Sequence, residues 1–118
     1  TITLNQLSTL DYQTNGTVTM TQISAEIFDV NFNVTTNQGP VSGLLRAQMN
    51  VSNPDQIILS TPTGPLTVET ASLVVNQVTL DTGENSTCTD LPVSGNIVIT
   101  KGAETATINF SNCAYTVN

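Results

Sequence analysis

Apolar and polar positions alternate along most of this chain. In GTVTMTQ, Val18 and Met20 fall on one side, and Thr17, Thr19 and Thr21 on the other. Phe28, Val30, Phe32 and Val34 alternate with Asp29, Asn31 and Asn33. Leu45, Ala47, Met49 and Val51 alternate with Arg46, Gln48 and Asn50, and Ala106, Ile108 and Phe110 with Thr105, Thr107 and Asn109. Successive side chains of a strand point to opposite faces, so a period of two predicts half-buried β-strands. The last run, CAYTV, puts Cys113, Tyr115 and Val117 on one face, out of parity with the run ending at Phe110. A bulge near Ser111 and Asn112 would account for that change. QIILS and ASLVVNQVTL are more continuously apolar and predict central strands or strands covered on both faces. A helix over 69–80 competes there, but Val74, Val75, Val78 and Thr79 favour the strand.

Turn-forming residues separate these runs: Asn15-Gly16, the stretch 37–40, Asn53-Pro54-Asp55, the stretch 62–65, Asp81-Thr82-Gly83 and Lys101-Gly102. Their spacing predicts one all-β domain spanning 1–118, an antiparallel β-sandwich or barrel-like meander of about eight to ten short strands. The tetrapeptide PVSG occurs twice, at 40–43 and 92–95, each time before an alternating run, a turn and a second run. Proline suits the first position of a strand because it cannot donate to a ladder, and glycine eases a close backbone approach. PVSG therefore reads as strand-entry punctuation of two related strand-plus-hairpin units. The first 13 residues form a segment apart, with Ile2, Leu4, Leu7 and Leu10 as its apolar positions. It is an edge strand, or a donor strand that completes the sheet of a neighbouring copy.

Composition narrows the functional classes. Two basic residues, Arg46 and Lys101, stand against nine acids, for a net charge of −7. Nucleic-acid phosphates and anionic membrane surfaces both require cations, so neither is an expected partner. No apolar run approaches the ~18 residues of a membrane span, and no membrane insertion of the mature chain is expected. There is no histidine. Ser-His-Asp and Cys-His nucleophilic sites are thereby excluded, as are His-based zinc sites. The acids Glu26, Asp29 and Glu69 show no spacing that singles out a hydrolytic pair. Asp81, Glu84, Asn85 and Asp90 crowd one loop with oxygen ligands of the kind calcium takes, but they match no calcium-loop spacing and read as turn formers. The expectation is a protein without catalytic residues, metal or cofactor.

The two cysteines, Cys88 and Cys113, are expected to form a disulfide in an exported protein, since charge is low at 9% and Thr and Asn abound. The opening TITLNQL fits a mature chain after removal of a signal peptide. Five sequons, at Asn15, Asn33, Asn50, Asn85 and Asn109, are candidate glycosylation acceptors. About three would arise by chance at this content of Asn, Ser and Thr. Glycan binding would call on aromatic platforms, for which Tyr12 and Tyr115 are the candidates if they converge.

The runs NGTVTMT, PVSGNIVIT and TATINFSNCAYTV resemble the Thr/Asn-rich β-domains of bacterial or archaeal surface proteins and of donor-strand filament subunits. That resemblance implies a secreted or cell-surface β-domain with structural or adhesive duties, and it carries over no functional residue. Two expectations follow. The first is a non-enzymatic extracellular structural subunit that self-assembles by strand addition into a filament or surface layer, as a homo-oligomer or polymer. The alternative is a glycan- or protein-binding adhesive module of a secreted or surface-anchored protein.

Overall fold

The computed structural model describes residues 1–9, 12–83, 86, 88 and 90–118, with the backbone alone at 4–9 and 12. Its strands are β1 (Ile2–Thr9), β2 (Tyr12–Gln22), β3 (Ile27–Thr36), β4 (Gly39–Met49), β5 (Gln56–Ser60), β6 (Leu66–Val68), β7 (Ala71–Asp81), β8 (Ser94–Lys101), β9 (Glu104–Ser111) and β10 (Ala114–Val117). All ten belong to one antiparallel sheet, in the order β1-β2-β3-β4-β5-β7-β8-β9-β10. β6 lies beside β5, and together they fill one position between β4 and β7. β5 pairs with the end of β4 at 46–49, and β6 with its start at Val41 and Ser42. The all-β antiparallel class and the strand number follow the alternation of the sequence. Among the described residues there is no helix, and so none long and apolar enough to cross a membrane.

The register puts most of the large apolar strand residues on one face. Val18 lies opposite Phe32, Val34 opposite Val41, and Val41 opposite Val68. Ala47 is opposite Leu59, Leu59 opposite Val78, and Leu66 opposite Leu73. Val75, Ile97, Ile108 and Val117 continue the face to the far edge. The other face is mainly polar, with Ile27, Leu44, Ile58 and the Val74–Val98 pair as its apolar members, and one row across it is a ladder of small polar residues. Thr3, Thr17, Asn33, Ser42, Thr67, Ser72, Thr100 and Thr105 are consecutive partners from β1 to β9. The core sits at the middle of the apolar face, where Val34, Leu66, Val75 and Val78 are buried.

Several local expectations change. Asn15-Gly16 is no turn but lies inside β2, where Gly16 kinks the strand with φ +133°. The parity change after Phe110 comes from a hairpin, not a bulge. Asn112 and Cys113, with φ 52° and 62°, form the two-residue loop between β9 and β10, and paired left-handed residues match the twist of the flanking strands. The bulge occurs instead in β7, where the register slips between Asn76 and Thr79 and Gln77 takes φ 50°. One extra residue moves the apolar set from Ala71, Leu73 and Val75 to Val78 and Leu80 without leaving the face. That slip, together with Val74 on the opposite face beside Val98, is why ASLVVNQVTL reads as continuously apolar.

The PVSG pair also changes meaning. Gly43 lies within β4 rather than at its entry, while Gly95 is near the start of β8. Both have positive φ, both sit on the apolar face, and each lies opposite a phenylalanine, Phe32 for Gly43 and Phe110 for Gly95. A Cβ on Gly43 would come within 2.9 Å of the Leu66 side chain, and one on Gly95 within 2.4 Å of the Gln77 carbonyl oxygen. The shared feature is a glycine kink that lets a neighbouring strand pass close. Sheets curve at such kinks, and a cross-strand aromatic partner is a common companion of glycine there.

Candidate functional site

The acids considered for chemistry are spread over separate elements. Glu26 is in the β2–β3 connection, Asp29 on the polar face of β3, and Glu69 in the β6–β7 turn, where its N–H donates to the Pro40 carbonyl at 2.6 Å. In the loop considered for calcium, Asp81 Oδ1 accepts the Gly83 N–H at 3.0 Å, the turn-forming role, while Glu84 and Asn85 lie outside the described residues. Among the described residues no three His, Cys, Asp or Glu side chains converge as they would around a metal ion. Tyr12 and Tyr115 lie on strands at opposite flanks of the sheet order, β2 and β10.

Asp29 is spoken for by Arg46, directly opposite it on β4. Arg46 Nε donates to Oδ1 at 2.8 Å and Nη2 to Oδ2 at 3.0 Å, a two-pronged contact on the polar face. The Arg46 hydrogen bonds hold the Asp29 carboxyl below its ordinary value, burial opposes them, and the guanidinium charge adds to the lowering. A carboxyl whose folded value is depressed contributes stability above its unfolded value and loses it as pH falls through the folded one. The Asp29→Asn protein should therefore be less stable than wild type at pH 7, and the gap should close below about pH 4, where the unfolded carboxyl titrates. Urea midpoints at neutral and acid pH check this, and a gap independent of pH contradicts it. Opposite charges on the polar positions of successive alternating runs are the sequence signal for this pair.

The two cysteines meet as expected. Cys88 and Cys113 form a disulfide with Cα atoms 5.0 Å apart. It ties the segment after β7 to the β9–β10 hairpin loop, and Cys88 is buried. Cys88 N–H donates to Ser86 Oγ at 3.1 Å, and Ser86 Oγ–H donates back to the Cys88 carbonyl at 3.0 Å. A disulfide suits an oxidising, extracellular environment.

Among the sequon asparagines, Asn15 and Asn33 are exposed on the polar face of β2 and β3, and Asn109 is half-buried on that face of β9. Asn50, in the β4–β5 connection, has its amide engaged: Nδ2 donates to Gln56 Oε1 at 3.0 Å, and Oδ1 accepts the Ser52 N–H at 3.1 Å. Asn85 lies outside the described residues.

The surfaces that stand out are the two outer strands. Among the described residues β1 pairs only with β2, and β10 only with β9, at opposite ends of the sheet. Ile2 lies opposite Val18, Leu4 opposite Gly16 and Leu7 opposite Thr14, all partners on the apolar face, with a register slip between Leu4 and Leu7. Leu10, the remaining apolar position of that segment, lies outside the described residues. Thr107 of β9 and Asn118, just past the end of β10, exchange both backbone hydrogen bonds, at 3.0 and 2.9 Å. Residues so paired alternate with residues whose backbone groups point away. Tyr115 and Val117 therefore turn their N–H and C=O groups to the open edge. Neither outer strand contains a charged residue or a proline, the usual guards of a sheet edge.

Compared with family models, curated proteins and solved structures, the chain matches none.

Proposed function

We propose that this chain is an exported, non-enzymatic structural subunit that assembles by strand addition, β10 of one copy alongside β1 of the next. The observation that carries the reading is the character of the two edges. Ile2 on one, and Tyr115 and Val117 on the other, are 60%, 59% and 58% exposed, although all three lie on the apolar face. Each has a cross-strand neighbour on one side only, where an inner strand has two, and such pairs are the unit of sheet stabilisation. Joining β10 to β1 supplies the second neighbour and satisfies the outward-pointing backbone groups. Because the two edges differ, the contact is head-to-tail, and head-to-tail contacts that do not close into rings produce open filaments. The slip in β1 leaves its first residues and the whole of β10 as the straight pairing runs. The disulfide next to β10 holds that edge in place for an extracellular setting.

The test is electron microscopy of purified protein beside a Val117→Pro variant. Val117 N–H points outward, so proline there removes a donor needed only by an incoming strand and leaves the β9–β10 bonds intact. Wild type should form filaments or sheets that the variant does not. Persistence of the same assemblies in a folded Val117→Pro protein contradicts the reading.

A further inference from the structure

The number of strands restricts how two copies can join edge to edge. The path from β1 to β10 has nine lateral positions, with β5 and β6 sharing one. Every neighbouring pair along it is antiparallel, so direction reverses eight times between the two edges. An even number of reversals leaves β1 and β10 running the same way. Head-to-tail contact therefore has two forms. If the next copy keeps its apolar face on the same side, its β1 runs parallel to β10. If that β1 runs antiparallel, the next copy is turned over and its apolar face lies on the opposite side. Rotation within the plane of the sheet offers no third form, because it brings like edges together.

We infer, resting on the edge assembly proposed above, that the joint takes the parallel form: the incoming β1 runs parallel to β10, and the apolar face continues unbroken from copy to copy. Side-chain parity decides between the two forms. Tyr115 and Val117 lie on the apolar face, opposite Phe110 and Ile108, and Thr116 lies on the polar face, opposite Asn109. At the other edge Ile2 is on the apolar face, opposite Val18, and Thr3 on the polar face, opposite Thr17. All five of these edge residues are exposed. The parallel form sets Ile2 beside Tyr115 or Val117, and Thr3 beside Thr116. The turned-over form exchanges the faces, as a one-residue slip of register would. Tyr115 and Val117 then meet Thr3, and Ile2 meets Thr116 or Ala114.

Aromatic and β-branched side chains stabilise one another across strands, so like faces favour the parallel form. A parallel ladder is slightly less stable per residue than an antiparallel one. That difference counts for little here, because β10 has four residues and β1 slips in register after Leu4. An assembly built this way has two unlike surfaces, one apolar and one rich in Thr and Asn. The turned-over form would instead alternate the two along its length.

Cysteine pairs read the form of the joint directly, since two cysteines bridge only when their Cβ atoms lie close and point together. Cys88 and Cys113 are bonded to each other and are the only two in the chain, so introduced thiols have no native competitor. Copies carrying Tyr115→Cys or Val117→Cys are each mixed with copies carrying Ile2→Cys or Thr3→Cys, assembled under mild oxidation, and resolved by non-reducing gel and mass spectrometry. At least one of the two mixtures with Ile2→Cys should give a disulfide-linked mixed dimer, and neither mixture with Thr3→Cys should. Thr116→Cys mixed with Thr3→Cys should link, which shows that position 3 is within reach. Links from Tyr115→Cys or Val117→Cys to Thr3→Cys, without links to Ile2→Cys, overturn the parallel joint and leave the edge assembly standing. Assemblies in which no β10 thiol links to either β1 thiol, or in which Tyr115→Cys links only to itself, refute the edge assembly and the parallel joint with it.

Discussion

Gly95→Ala should destabilise the fold by about 3–5 kcal/mol, adding the strain of a left-handed residue to overpacking against a neighbouring backbone. Gly95 has φ +100°, and a Cβ there would lie 2.4 Å from the Gln77 carbonyl oxygen and 2.6 Å from Val78 Cα. Neither neighbour is a flexible side-chain tip, since both belong to the β7 bulge. Against a typical total stability of about 5–15 kcal/mol, that loss leaves a marginal protein. Gly64→Ala is the matched control. Gly64 has φ +126°, but a Cβ there would meet nothing within 4 Å. It should show the backbone strain alone, about 1–2 kcal/mol. Thermal or urea unfolding of the two variants therefore separates crowding from strain. Equal losses at the two positions contradict the account of PVSG as a kink under a passing strand.

The second large effect is the disulfide. Replacing both Cys88 and Cys113 with alanine, or reducing the native protein, should cost about 3–4 kcal/mol, from the loop-closure entropy the bridge removes from the unfolded chain. The bridge spans a sequence separation of 25. For a chain of this size that cost corresponds to a fall in Tm of roughly 10–20 °C. Because the bridge anchors the β9–β10 loop, the loss should be felt first in β10, whose amides would exchange ahead of global unfolding. A Tm unchanged by reduction contradicts this. The disulfide and Gly95 act on the same end of the sheet, so combining the two changes should depart from additivity.

Much of the fold was legible because alternation is a direct record of the pleat. Val18, Phe32, Val34 and Ile108 carry the apolar face in the runs where period two is strict. What escaped were the places where the period breaks. Asn15-Gly16 has the composition of a turn, yet the chain continues straight through it, because Gly16 serves a kink in the middle of a long strand. Asn112 and Cys113 look like strand residues, and the cysteine in particular gives no turn signal, so the reversal registered only as a change of parity. The split of β5 from β6 depends on where β4 and β7 leave room, which no local pattern carries. For the candidate surfaces, the sequence pointed to an uncharged apolar first strand, and the structure adds that β10 is its counterpart at the far edge.

The central claim is that the β10 edge is where a neighbouring copy adds its strand. Hydrogen exchange at the Tyr115 and Val117 amides tests it most directly, because both point away from β9. In dilute monomer they should exchange at the rate of open backbone, and in assembled protein they should become protected along with the amides of β1. Assemblies in which Tyr115 and Val117 continue to exchange as freely as in the monomer would contradict the account.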